Sequence, residues 1–146
     1  MRVGFIQYNP VFGQVKSNLS TIESLLSYNV ADLMVLPELF NTGYNFLSRE
    51  EARILSETIP EGLTTQTLIH FCKKNQISII AGLAEYDGDQ VFNSAVVVGP
   101  ELPEPCAGQT SSSWLQDRSF SSLNRSLPSE LERQLPREIF DVLVVD

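Results

Sequence analysis

The stretch richest in chemical possibilities is Val35-Leu36-Pro37-Glu38-Leu39-Phe40-Asn41-Thr42-Gly43-Tyr44. The apolar run from Leu33 to Leu36 reads as a buried strand that stops at Pro37 and delivers a carboxylate, Glu38, at its C-terminal end. In open α/β sheets, ligands bind beyond the carboxyl ends of the strands. A glutamate there, followed by aromatics and a glycine turn, would stand at the mouth of a cleft and suit general-base work. The competing reading is a carboxylate that caps a helix or simply faces solvent after a strand.

Other chemistry-bearing residues have weaker surroundings. Cys72 follows Phe71 on the apolar side of a predicted helix and reads as a core residue. Cys106 lies between Pro105 and Ala107 and reads as an ordinary exposed thiol. His70 is the single histidine; no Ser or Cys partner stands at motif spacing, so it reads as helix surface. Glu85, Asp87 and Asp89 lack the remaining positions of a calcium loop and read as a solvated hairpin tip. Gly82, Gly88 and Gly99 form no phosphate loop. Neither a metal nor a cofactor is expected.

These residues need a frame to position them. Val3 to Tyr8 is a short apolar run closed by Asn9-Pro10 and Gly13, a first buried strand. From Val15 to Tyr28, Leu19, Ile22, Leu25 and Leu26 recur at helical spacing, with Ser17 or Asn18 as candidate caps. Ser48-Arg49-Glu50-Glu51 has the form of a capping box, opening a helix that must stop before Pro60. Thr64 or Thr65 would cap another helix running to about Asn75. Ile77 to Leu83 and Phe92 to Val98 are two further strands, joined through an Asp87-Gly88 hairpin turn. The order reads β-α-β-α-β-β, with two helices in the second helical stretch. It predicts an α/β layer architecture whose parallel pairs are followed by an antiparallel one, a mixed sheet.

Beyond Pro100 the character changes. Pro103 and Pro105 stand among acidic residues, Thr110 to Ser113 and Ser119 to Ser122 are serine-rich, and no lysine follows Lys74. The expected organisation is a domain over residues 1–100 and a divergent, loop-rich or weakly ordered tail over 101–146.

Composition excludes several function classes. A length of 146 residues fits one domain, and 42% hydrophobic with 19% charged residues is globular. The formal net charge of -8 repels phosphate backbones, so no nucleic-acid partner is expected. No apolar stretch approaches the roughly 20 residues of a membrane span, so no membrane partner is expected. Two cysteines without metal or disulfide spacing, and no signal-peptide pattern, point to the cytoplasm.

Several segments together resemble one family. Val35 to Tyr44 resembles the glutamate signature of the nitrilase superfamily of carbon–nitrogen hydrolases. Val3-Gly4-Phe5-Ile6-Gln7-Tyr8-Asn9-Pro10, with Gly13 and Asn18-Leu19, resembles its opening strand and helix. Ile59-Pro60-Glu61-Gly62 with Thr64, Ile80 to Glu85, and Phe92 to Pro100 resemble later segments in the same order. The resemblance covers residues 1–100. It implies the N-terminal portion of a four-layer α-β-β-α sandwich with a mixed sheet. It also implies hydrolysis of a small amide, carbamoyl compound or nitrile by a Glu, Lys and Cys set. Glu38 would be the base, and Tyr44 and Phe46 would line the substrate pocket.

The family pattern continues toward a Tyr-Arg-Lys segment and then a Cys-Phe/Tyr-Asp strand. Gln109 to Arg118 holds no lysine, and the cysteine strand has no counterpart. The expectation is therefore an incomplete, catalytically impaired family member. The alternative is a non-catalytic binding module built on the half-sandwich, self-associating through an exposed sheet or helix face.

Overall fold

A computed structural model describes residues 1–28, 31–100 and 106–110. Its elements are β1 (Val3–Phe5), α1 (Val15–Leu26), β2 (Leu33–Val35), α2 (Arg49–Leu55), α3 (Leu63–Asn75), β3 (Ser78–Asp87), β4 (Gln90–Val98) and β5 (Cys106–Thr110). They form one mixed sheet in the order β1-β2-β3-β4-β5. β1, β2 and β3 are parallel neighbours, which requires crossovers, and α1 and the α2–α3 stretch supply them. β3, β4 and β5 are antiparallel. The β3–β4 hairpin closes with Asp87 opposite Gln90, and Gly88 takes the positive φ of +61° that a two-residue turn needs at its first position.

The sheet buries one face under two helices. Leu19, Ile22 and Leu26 of α1, with Leu68, Phe71 and Cys72 of α3, pack against Met34, Leu36, Ile79, Ala81, Leu83, Val96 and Val98. The sheet residues alternate along each strand, as side chains pointing to one face must. Each fully buried aliphatic side chain contributes about 1.5–3 kcal/mol. On the edge strand β1, Val3 and Phe5 remain 58% and 76% exposed.

Several expectations are corrected in detail. Neither Ser17 nor Asn18 caps α1: its N-cap is Gln14, without a side-chain bond, because Asn18 is drawn inward to other partners. The Ser48 cap of α2 is present, accepting the Glu51 N–H at 3.1 Å. The Glu51 carboxylate reaches past Ser48 to the Leu47 N–H at 2.7 Å. α3 begins after Gly62 rather than at Thr64 or Thr65. Glu57 satisfies its start, accepting the N–H of Thr64 at 2.9 Å and of Thr65 at 2.8 Å. A carboxylate at a helix N-terminus also meets the positive end of the helix dipole.

Cys106–Thr110, expected in a loop, instead adds a strand to β4. A backbone ladder needs no apolar pattern, so the small polar sequence Cys-Ala-Gly-Gln-Thr concealed it. The remaining tail expectations, for 101–105 and 111–146, lie outside the described residues. Among the described residues no helix is long and apolar enough to cross a membrane.

Candidate functional site

The position of Glu38 is set by how β2 ends. Leu36 extends the ladder by donating its N–H to Ile80 O at 2.8 Å, and Pro37, which has no N–H, stops it. The chain then turns over β3, where the Phe40 N–H reaches Gly82 O at 3.3 Å. Leu39 takes a φ of +47°, in the left-handed region that non-glycine residues seldom occupy. The crossing depends on glycine at 82: a Cβ there would stand 2.7 Å from Glu38 Cα. Gly82 lies between Ala81 and Leu83, which both face the helices, so Glu38 sits over the opposite face of the sheet.

That same face carries Asn93. In the β3–β4 register Asn93 pairs with Ala84 and Ala95 with Gly82. The Asn93 side chain projects to the loop, and its Nδ2 donates a hydrogen bond to Glu38 Oε1. Glu38 itself is exposed.

Buried polar contacts fix the loop behind it. Leu39, Phe40, Asn41 and Thr42 are almost completely buried. Asn18 Nδ2 donates to Asn41 O and to Val11 O, both at 2.8 Å, and Asn18 Oδ1 accepts the Val11 N–H at 2.9 Å. Asn41 Nδ2 donates to Thr64 Oγ1 at 2.8 Å. The Tyr8 hydroxyl donates to Phe40 O, and burial pushes the Tyr8 phenol up to about 12. Gly13, at φ +69°, brings its N–H to Thr42 O at 2.9 Å. The loop is thus tied to α1, to α3 and to the segment after β1, so Glu38 stands on a rigid base.

The other predicted residues have different surroundings. Tyr44 is half-exposed; partial burial first, and then the negative charge of Glu38, raise its phenol pKa above the ordinary value. Phe46 meets the Phe12 ring edge-on, with centroids 5.3 Å apart and planes at 83°. Cys72 is fully buried with Sγ 3.6 Å from Val98 O, and burial pushes its thiol up to about 12, so it offers no thiolate near neutral pH. His70 is exposed on α3.

Glu85 departs from the expected solvated tip. It faces the helices, is buried, and accepts the Ser94 hydroxyl at 2.5 Å. Strand alternation explains this: the ladder runs through Asp87, longer than expected, and places Glu85 inward. Among the described residues no three His, Cys, Asp or Glu side chains gather where they could hold a metal.

Sequence reasoning missed Glu57 and the contacts that Asn93 and Asn18 make. Asn93 could have been found by counting outward from the hairpin, since its pairing with Ala84 puts it on the face of Gly82. Asn18 and Glu57 gave no local signal, because their partners lie 7 to 23 residues away in sequence.

The described chain is a mixed α/β sheet that sets a carboxylate beyond the carboxyl end of a parallel strand. Matched by the carbon–nitrogen hydrolase family model over residues 2–108, the chain belongs to that family. It is 47% identical over 103 residues to a nitrilase of Pyrococcus abyssi, across 68% of this chain and 39% of that protein. It is 31% identical over 109 residues to the protein N-terminal amidase of Saccharomyces cerevisiae, across 69% of this chain and 24% of that protein. The crystal structure of an N-terminal amidase with a Gln-Gly peptide superposes with a TM-score of 0.69 at 28% identity, covering 76% of this chain and 28% of that one. The chain therefore has the N-terminal portion of the nitrilase-superfamily fold. It spans less than two-fifths of the length of these curated relatives, 39% of one and 24% of the other.

Proposed function

We propose that this chain carries the general-base portion of a site that hydrolyses non-peptide carbon–nitrogen bonds, with Glu38 as the base. The substrate class is a small amide, carbamoyl compound or nitrile. The observation that carries this reading is the exposed Glu38 carboxylate, anchored to Asn93 on a loop whose other polar contacts are buried. Such a carboxylate can take the proton of an attacking thiol or water and return it to the departing nitrogen. Tyr44, whose phenol is raised by partial burial and by the charge of Glu38, and Phe46, braced by Phe12, form the proposed pocket wall.

The full reaction also needs a nucleophile and a cation for the developing negative charge. Cys72 is sealed in the core, and Lys16, Lys73 and Lys74 belong to the helices α1 and α3. We propose that the chain by itself turns over little or no substrate. The test of the pocket is a titration of isotope-labelled chain with a short amide, an N-carbamoyl compound and a nitrile. Resonance shifts should concentrate at Glu38, Tyr44 and Phe46 for at least one of the three. Uniformly absent shifts there, with the chain folded, would remove the pocket.

A second reading has one observation in its favour. Val3 and Phe5 form an apolar pair exposed on the edge strand β1. Under this reading the module associates through that edge and performs no chemistry, and self-association is its signature.

A further inference from the structure

We propose that Asn93 is the positioning residue of the Glu38 carboxylate, holding one oxygen so that the other is presented to whatever proton it must accept. The inference rests on reading Glu38 as a base and adds the residue that aims it. Three observations carry it. Asn93 Nδ2 donates to Glu38 Oε1 across a separation of 55 residues, so the contact joins two independent parts of the fold. Among the described residues no other donor reaches either Glu38 oxygen, and the carboxylate is otherwise exposed. An exposed glutamate with three rotatable side-chain bonds samples many rotamers unless something holds its end.

The donor is itself rigidly mounted. Asn93 lies within the β3–β4 ladder opposite Ala84. Its neighbour Ser94 is anchored on the other face, where its buried hydroxyl donates to the buried Glu85 carboxylate at 2.5 Å. Consecutive residues of β4 thus bond two carboxylates on opposite faces of the sheet. The inward bond fixes the strand, and the outward one fixes Glu38. Asparagine suits this task. Its Nδ2 is a neutral donor, so it holds the carboxylate without neutralising it as a lysine or arginine would. An aspartate at 93 would instead repel Glu38.

The test reads conformation rather than turnover, so it stands apart from the question of activity. The Hα–Hβ couplings of Glu38 would be measured by NMR in the wild-type chain, in Asn93→Leu and in Asn93→Asp. The wild type should show one dominant Glu38 rotamer. Both variants should lose it and give averaged couplings, while the backbone amides of Leu39 to Thr42 keep their shifts. Glu38→Gln supplies a second readout. Removing the carboxylate charge should move the Asn93 side-chain amide proton resonances away from their wild-type positions. A Glu38 side chain already averaged in the wild type, one still ordered in Asn93→Leu, or Asn93 amide resonances unmoved in Glu38→Gln would each overturn the proposal. Ligand shifts absent at Glu38, Tyr44 and Phe46 despite an ordered Glu38 would instead count against the pocket and leave the positioning role standing.

Discussion

Asn93, on the fourth strand, donates a hydrogen bond to Glu38, which stands on the loop after the second strand. The third strand lies between them, and Glu38 crosses it directly over Gly82. The site is therefore made by sheet topology as much as by the Glu38 loop itself, and its predicted sensitivities reach from that loop to β3, β4 and α1.

Gly82→Ala should damage the site from below. The added methyl would stand 2.7 Å from Glu38 Cα, a backbone atom that cannot swing aside. The loop must lift, at a cost of about 1–3 kcal/mol, as for other overpacked positions. Urea denaturation should show that loss, and the Asn93 amide should lose its coupling to Glu38. A variant as stable as wild type with the coupling intact would show that the crossing is looser than described.

Asn18→Leu should loosen the loop from the side. It removes the bonds to Val11 N, Val11 O and Asn41 O, and Asn41 O is buried. Leaving such groups unpaired should lower stability by about 2–4 kcal/mol. Amide hydrogen exchange should accelerate at Leu39 to Thr42 more than in β3. An exchange pattern unchanged at that loop would count against the clamp.

Alkaline pH should destabilise the fold in a defined window. Burial raises Cys72 from the ordinary 9.0 to about 12 and Tyr8 from 10.0 to about 12. Both groups stay neutral in the folded chain where the unfolded chain has already lost the proton. The stability they contribute is full below pH 9 and is lost as pH rises from 9 through about 12. Melting temperature should fall over that range, and Cys72→Val should remove part of the slope near its lower end. A flat profile in both chains would contradict the burial of these groups.

Phe5→Ser tests the edge strand. Sedimentation at several concentrations should show wild-type self-association that weakens in the variant, because Phe5 is 76% exposed on β1, the end strand of the sheet among the described residues. A wild-type chain monomeric at every concentration would remove the interaction-module reading.

Much of this fold was legible because its signals are local. Leu19, Ile22 and Leu26 keep helical spacing, the strands carry apolar runs such as Leu33 to Val35 and Ile79 to Leu83, and Asp87-Gly88 marks the hairpin. Glu38 was legible as well, since a buried strand that ends at proline sets the next side chain at the sheet's carboxyl edge. The supports of Glu38 were not. Asn93, Asn18 and Glu57 act on residues distant in sequence, so their own neighbourhoods do not show which partners they hold. Glu85 looked solvated because its acidic neighbours Asp87 and Asp89 are exposed, yet it shares the face of β3 on which Ala81 and Leu83 pack against the helices. β5 was hidden because backbone pairing alone defines it.

The most direct measurement is ammonia release from a panel of short amides, ω-amides, N-carbamoyl compounds and nitriles, with wild type beside Glu38→Gln. On the proposed function the described residues place Glu38 as a base and supply neither its nucleophile nor its cation, so both chains should release ammonia only at the rate of the enzyme-free control. Robust release by the wild type that is abolished in Glu38→Gln would contradict it, because the chain would then hold a complete catalytic set.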